Sequence, residues 1–113
     1  MNSSHFSPQV MRELQMARES RKSGNEGRAR VCARRAAGLV ALRYFQKLPA
    51  EKEPENGYRA LEMLRERGEL PAEVQQALIW LTTRVDTDHQ LPDGVDLIAE
   101  AEEFIQHLGA VNS

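Results

Sequence analysis

Ala29-Arg-Val-Cys-Ala-Arg-Arg-Ala-Ala-Gly-Leu-Val-Ala-Leu-Arg-Tyr-Phe45 is the stretch that decides the fold of this chain. Ala29, Ala33, Ala36, Ala37, Val40 and Tyr44 recur at spacings of three and four, the period of one helix face. Their mostly small side chains let a neighbouring helix approach closely. Beyond Ala36 the segment is apolar around most of its circumference, because Leu39, Ala41, Leu42 and Phe45 join that face. A helix of this kind is either the central member of a bundle or one covered by a partner. With Asn25 as its cap, it is expected from Glu26 to Leu48.

The segments on either side carry the same period. Upstream, Ser7 and Pro8 make a helix start, since serine caps free amides and proline loses nothing in the first turn. Val10, Leu14 and Ala17 form the stripe of that helix, with Met11 beside it, and Gly24-Asn25-Glu26-Gly27 ends it after about Lys22. Downstream, the Glu- and Pro-containing residues 49–56 read as a loop. A short helix follows from Gly57 to Arg67, with Tyr58, Leu61 and Leu64 inward, and Gly68 stops it. Pro71 opens a fourth helix, in which Val74, Ala77, Leu78, Leu81 and Val85 fit the helical template.

Asp86 to Gly94 has the composition of a turn, and Asp93 is expected to cap the last helix. Leu97, Ile98, Ala101, Phe104, Ile105 and Leu108 give that helix a clean apolar stripe, with its end expected at Gly109. No segment alternates with period two. The expectation is an all-α, up-and-down bundle of about five helices. It forms one domain over residues 1–113, with residues 1–7 flexible and residues 109–113 a tail.

A chain of 113 residues supports one core, so any site is built on this bundle or shared with another copy. Cys32 is the sole cysteine, which excludes an internal disulfide. The start of the chain is polar and no run reaches the roughly 18 apolar residues of a membrane span. A cytoplasmic protein away from the membrane is expected. The net charge of −2 conceals an asymmetry: residues 1–50 hold 10 Lys and Arg against 3 Asp and Glu, and the remainder 5 against 14. The halves therefore carry +7 and −9. Arg28, Arg30, Arg34 and Arg35 are the candidates for nucleic-acid contact. However, Arg30 and Arg34 fall on one flank of the helix and Arg28 and Arg35 on the other, without interleaved aromatics.

A glycine-rich phosphate loop, paired metal-binding cysteines, H-E-x-x-H and a nucleophile elbow are all missing from the sequence, so no cofactor or metal is expected. His5 and His107 lack ligand spacing. Arg84-Val-Asp-Thr-Asp-His89 is more informative. Arginine binds a phosphate and histidine moves a proton near neutral pH, a combination suited to phosphodiester cleavage. Five positions apart, the two diverge by about 140° on a continuous helix, so they meet only where the helix breaks. Trp80 shares a face with Arg84, beside the main stripe, which suits either packing under the guanidinium or a place in an interface.

Two parts of the chain together resemble HEPN domains. Ala17-Arg-Glu-Ser-Arg-Lys-Ser-Gly-Asn-Glu-Gly-Arg-Ala29, continued by Val31-Cys-Ala-Arg-Arg-Ala-Ala-Gly-Leu-Val40, is similar to their first helix pair. The tail from Arg84 to Leu108 resembles their closing portion, an R-x-x-x-x-H motif before an amphipathic helix. The resemblance implies a dimerising bundle that cuts or binds RNA or accompanies a nucleotidyltransferase. In active relatives the motif pair meets at the dimer cleft and works without metal, helping the ribose 2′-hydroxyl attack the adjacent phosphate. Here those roles fall to Arg84 and His89. Val85 stands where the family usually has a polar residue and Leu91 where it often has an aromatic, while Asp86 and Asp88 would repel an RNA phosphate.

The leading expectation is accordingly a non-catalytic, homodimeric HEPN-like domain that binds a protein or nucleic-acid partner. Its interface is expected at Trp80, Ile79, Leu42 and Phe45, with Leu39 adding to the apolar surplus. The alternatives are a metal-independent endoribonuclease using Arg84 and His89 and a purely structural interaction module.

Overall fold

The computed structural model describes residues 7–48, 53–83 and 94–112, and side chains as far as residue 109. Five helices account for most of them: α1 (Pro8–Lys22), α2 (Glu26–Gln46), α3 (Gly57–Arg67), α4 (Ala72–Thr82) and α5 (Leu97–Asn112). No strand occurs among the described residues. Each helix packs on the next, and α2 lies against α1, α3 and α5. It is the central helix of the bundle.

Local chemistry explains most boundaries. Ser7 Oγ accepts from the Val10 amide at 3.2 Å, with Pro8 in the first turn of α1. Asn25 Oδ1 accepts from the Arg28 amide at 3.0 Å, and Asn56 Oδ1 from the Arg59 amide at 2.9 Å. Each occupies one of the amides that a helix start leaves without a carbonyl partner. Gly68 closes α3 with φ at +63°, a left-handed conformation that a Cβ would strain.

Three boundaries differ from the sequence expectation. The α2 helix stops at Gln46, two residues early, and its end is closed by Lys47 and Leu48 amides donating to the Tyr44 and Phe45 carbonyls. Asp96, not Asp93, caps α5: its Oδ1 accepts from the Ile98 and Ala99 amides at 3.1 and 3.2 Å. Gly109 does not end α5, which runs on to Asn112.

The core follows the predicted stripes. Val10, Leu14 and Ala17 of α1, Val74, Leu78 and Leu81 of α4, and Leu97, Phe104 and Leu108 of α5 are all buried. On α2 the alanines at 29, 33, 36, 37 and 41 are fully buried, so small side chains draw the other helices onto this one. The closest approach joins Gly38 of α2 to Gly57 at the start of α3. A Cβ added at Gly57 would lie 2.8 Å from the Gly38 backbone, closer than real Cβ atoms come. The α2–α3 crossing therefore requires glycine at this contact.

Phe45 corrects one expectation. The sequence places it at an interface, but it has no exposed surface in its own chain. The Tyr44 ring meets it edge-on at 5.6 Å between centroids, and the Arg67 guanidinium carbon stands 5.0 Å from its centroid. Its surroundings are intramolecular, with the edge-to-face and cation–π geometries that aromatic rings favour.

Candidate functional site

The face of α2 opposite its alanines remains open. Val31, Arg35, Leu39 and Leu42 stand along it, and Val31 is 44% exposed. Glu13 of α1 and Tyr58 of α3 form the walls, and the Gly38–Gly57 contact lies at the floor. The result is a predominantly apolar groove of about 310 Å³. It lies on the basic half of the sequence apart from Gly57 and Tyr58. Leu39 and Leu42, expected as part of an interface, are half-buried and line this groove, whereas Ile79 and Trp80 are half-buried on α4.

Two charged side chains of the groove are without an ion pair among the described residues. One carboxylate oxygen of Glu13, Oε1, is buried without a hydrogen bond. Arg35 is exposed and makes no hydrogen bond or ion pair among the described residues. Both line the same groove without meeting each other.

Beside the groove, side chains converge on the end of α4. Arg34 donates from Nε to the Leu81 carbonyl at 2.8 Å and from Nη2 to the Thr83 carbonyl at 3.2 Å. Tyr58 donates its hydroxyl to the Thr82 carbonyl at 2.6 Å, and Arg65 donates to Thr82 Oγ1 at 3.0 Å. Thr82 Oγ1 in turn donates to the Leu78 carbonyl at 2.7 Å. The last carbonyls of a helix have no amide to accept from and sit at the negative end of its dipole, so arginines are the natural partners. Arg34 and Tyr58 belong to both the groove and this clamp.

The arginines of α2 therefore have separate employments. Arg34, an expected nucleic-acid contact, is engaged with the backbone of α4. Arg30 is half-buried, with Nε 3.7 Å from Glu26 Oε2. Arg28 is exposed beside a shallow polar cleft with Glu19, Ser20 and Asn25, and Arg35 belongs to the apolar groove. These four do not form a common phosphate-binding surface.

Arg84 and His89 lie outside the described residues, as do Val85, Asp86, Asp88 and Leu91. The α4 helix ends at Thr82, and Thr83 is extended. Among the described residues, no group of three or more His, Cys, Asp or Glu is placed to hold a metal ion, and no helix is long and apolar enough to cross a membrane. Comparison with family models, curated proteins and solved structures finds no match for this chain.

Sequence reasoning identified the apolar surplus on α2 but missed the clamp. Arg34 and Leu81 are 47 positions apart, and an arginine that serves a distant carbonyl has no spacing signature. Glu13 gave no signal either, since a lone glutamate on a helix ordinarily faces water.

Proposed function

We propose that this chain is a HEPN-like binding and assembly domain that works as a homodimer and engages a protein or nucleic-acid partner, without catalysing a reaction itself. The observation that carries this reading is the open groove on the central helix. An apolar surface with Val31, Leu39 and Leu42 accessible suits association, whereas a catalytic site needs titratable groups converging on a reacting atom. The order of helices also agrees with the HEPN-like motifs of the sequence, in which a polar turn precedes a long helix lined with small residues.

Sedimentation equilibrium at high micromolar concentration tests the dimer, and a dimer is the expected result. A monomer at that concentration overturns the reading. Binding to a mixed-sequence RNA across a salt series separates the partners: affinity falling steeply with salt identifies phosphate contacts, and salt-insensitive complex formation identifies a protein partner.

One observation favours the ribonuclease reading as a second. It is the R-x-x-x-x-H spacing of Arg84 and His89 in the sequence, which pairs a phosphate-binding side chain with a proton carrier. Incubation of RNA with purified protein and a chelator tests it. Cleavage that leaves 2′,3′-cyclic phosphate ends and is lost in both Arg84→Ala and His89→Ala establishes the activity. Equal background in all three leaves the binding domain.

A further inference from the structure

We infer that the open side of the α1–α2 hairpin takes an amphipathic helix of another protein, about four turns long, whose apolar stripe carries two acidic residues seven positions apart. This inference rests on the partner-binding reading and gives that partner a chemical class and a contact surface.

The apolar groove and the polar cleft beside Arg28 follow one another along the hairpin. Gln9 and Glu13 of α1 line the first, and Met16, Ser20 and Ser23 line the second. These five recur at spacings of four and three, so they share one face of α1. Arg28, Val31, Arg35, Gly38 and Leu42 recur in the same way on α2. Every helix face has this period, but here two separate clefts fall on one pair of facing stripes. Arg28, Val31 and Arg35 are exposed, so no described element covers the trough. Arg28 and Leu42 are separated by roughly 21 Å of helix, about four turns. A trough of that length and shape fits a rod lying along it, the geometry in which a helix docks through anchors three and four residues apart.

Charge selects the kind of helix. Arg28 and Arg35 stand seven positions apart on the α2 side, and neither makes an ion pair or a side-chain hydrogen bond among the described residues. Val31, Leu39 and Leu42 stand around and beyond them. The acids of the trough are confined to the α1 wall: Glu19 accepts from Gln15 at 3.0 Å, and Oε1 of Glu13 is closed to solvent. The accessible line along α2 is therefore cationic and aliphatic. A helix that meets it needs carboxylates at two positions one heptad apart and apolar side chains around them, since charges at that spacing set partner choice between packed helices. Two walls of the trough are already fixed, because Arg34 and Tyr58 are tied to carbonyls at the end of α4. Docking then requires little reorganisation of the groove.

The same chemistry decides against two other occupants. In a second copy, the acid-rich helix is α5, and its apolar residues Leu97, Phe104 and Leu108 are buried in its own core. A nucleic acid would meet aliphatic side chains between the two cations, and no aromatic side chain of the trough other than Tyr58 to stack on a base.

The test uses two labelled helical peptides of about 20 residues, each with leucines along one face. One carries glutamates at two positions seven apart within that face, and its twin carries lysines there. Fluorescence anisotropy with the full chain should show the glutamate peptide binding about tenfold or more tightly than its twin. Arg28→Glu combined with Arg35→Glu should reverse that preference, and Val31→Asp should weaken both peptides. These three side chains are exposed, and circular dichroism checks that each variant retains the fold. Amide chemical shifts should move along Glu13–Ser23 and Arg28–Leu42 more than along α4.

Equal affinity for the two peptides, no binding of either, or a preference that survives the double charge reversal overturns the inference. If the peptides fail while RNA binds with a steep salt dependence, the binding-domain reading stands with a nucleic-acid partner and this inference alone is lost. If the glutamate peptide dissociates a wild-type dimer in sedimentation equilibrium, the trough belongs to a second copy, and the inference is overturned while the homodimer reading stands. A monomer that binds neither peptide nor RNA overturns both readings.

Discussion

The two sides of α2 are built from the same helix but do different work. On one, five fully buried alanines bring α1, α3 and α5 close to the helix axis. On the other, Val31, Arg35, Leu39 and Leu42 stand over an open groove. Helical period alone makes the first side the core. It does not make the second side solvent-facing in the usual sense, because three of those four residues are aliphatic. The contrast locates the packed core on one side and accessible apolar surface on the other, and mutations on the two should differ in their cost to stability accordingly.

The largest separation is expected between Phe45 and Val31. Phe45→Ala removes a fully buried ring together with its contacts to Tyr44 and Arg67, at a cost of about 3–5 kcal/mol. Val31→Ala removes two methyl groups from an exposed site, and about 0.5 kcal/mol or less is expected. Urea denaturation of both variants reads the difference. Comparable losses would show that the monomer itself buries Val31, and the distinction between the two sides would fail.

Gly57→Ala tests the floor between them. Its new Cβ would lie 2.8 Å from the Gly38 backbone, and no flexible side chain stands there to give way. Helix α3 must move off α2, with an expected loss of about 1–3 kcal/mol. Gly24→Ala is the reference for strain without crowding: its φ is +86° and nothing lies within 4 Å of the added atom. Equal denaturation midpoints for Gly57→Ala and wild type would mean that the two helices do not require this approach.

A smaller effect is expected from Arg34, where the open side meets the polar clamp. Arg34→Met keeps much of the stem but removes donors to the Leu81 and Thr83 carbonyls, worth about 1–2 kcal/mol together. Hydrogen exchange should accelerate in the last turn of α4 more than in α1. Uniform acceleration would show that Arg34 supports the whole bundle rather than the end of one helix.

These comparisons also show what the sequence can express. The stripes of α1, α3, α4 and α5 were legible because repeated burial on one face leaves a period. Ser7, Asn25 and Gly68 were legible because their backbone roles favour particular residue types. The position of Phe45 was not, because a helix apolar around its circumference has the same pattern whether its own chain or another covers it. The cap of α5 was expected at Asp93 and lies at Asp96, whose contact with Arg21 joins distant segments and leaves no local signature. Of the candidate sites, Leu39 and Leu42 were legible as surplus apolar surface. Glu13 and the Arg34 clamp depend on contacts between distant segments and have no local signature.

Arg21 gives the smallest effect and one with a defined pH dependence. It lies in the last turn of α1 and donates to Glu26 at the start of α2 and to Asp96 at the start of α5, holding three helix ends together. The Arg21 hydrogen bond is the main cause that holds the Glu26 carboxyl below its ordinary value. Burial pushes Asp96 upward, but the hydrogen bonds from Arg21 and the Ala99 and Ile98 amides outweigh it and leave Asp96 low. Both carboxylates therefore ionise more readily in the folded chain, and their contribution is full above the unfolded carboxylate range of about 4 and is lost as the pH falls through their folded values. The three side chains are each more than a third exposed, so solvent limits the whole contribution to about 1 kcal/mol. Arg21→Ala should be less stable than wild type at neutral pH by about that amount, and the two should converge in acid. The raised Glu100 carboxyl, pushed up first by burial and then by Glu103 and Asp96, is present in both proteins and largely cancels in the comparison. A gap that persists unchanged well below pH 4 would mean that Arg21 contributes through the packing of its stem rather than its charge, since protonated carboxyls cannot sustain the ion pairs.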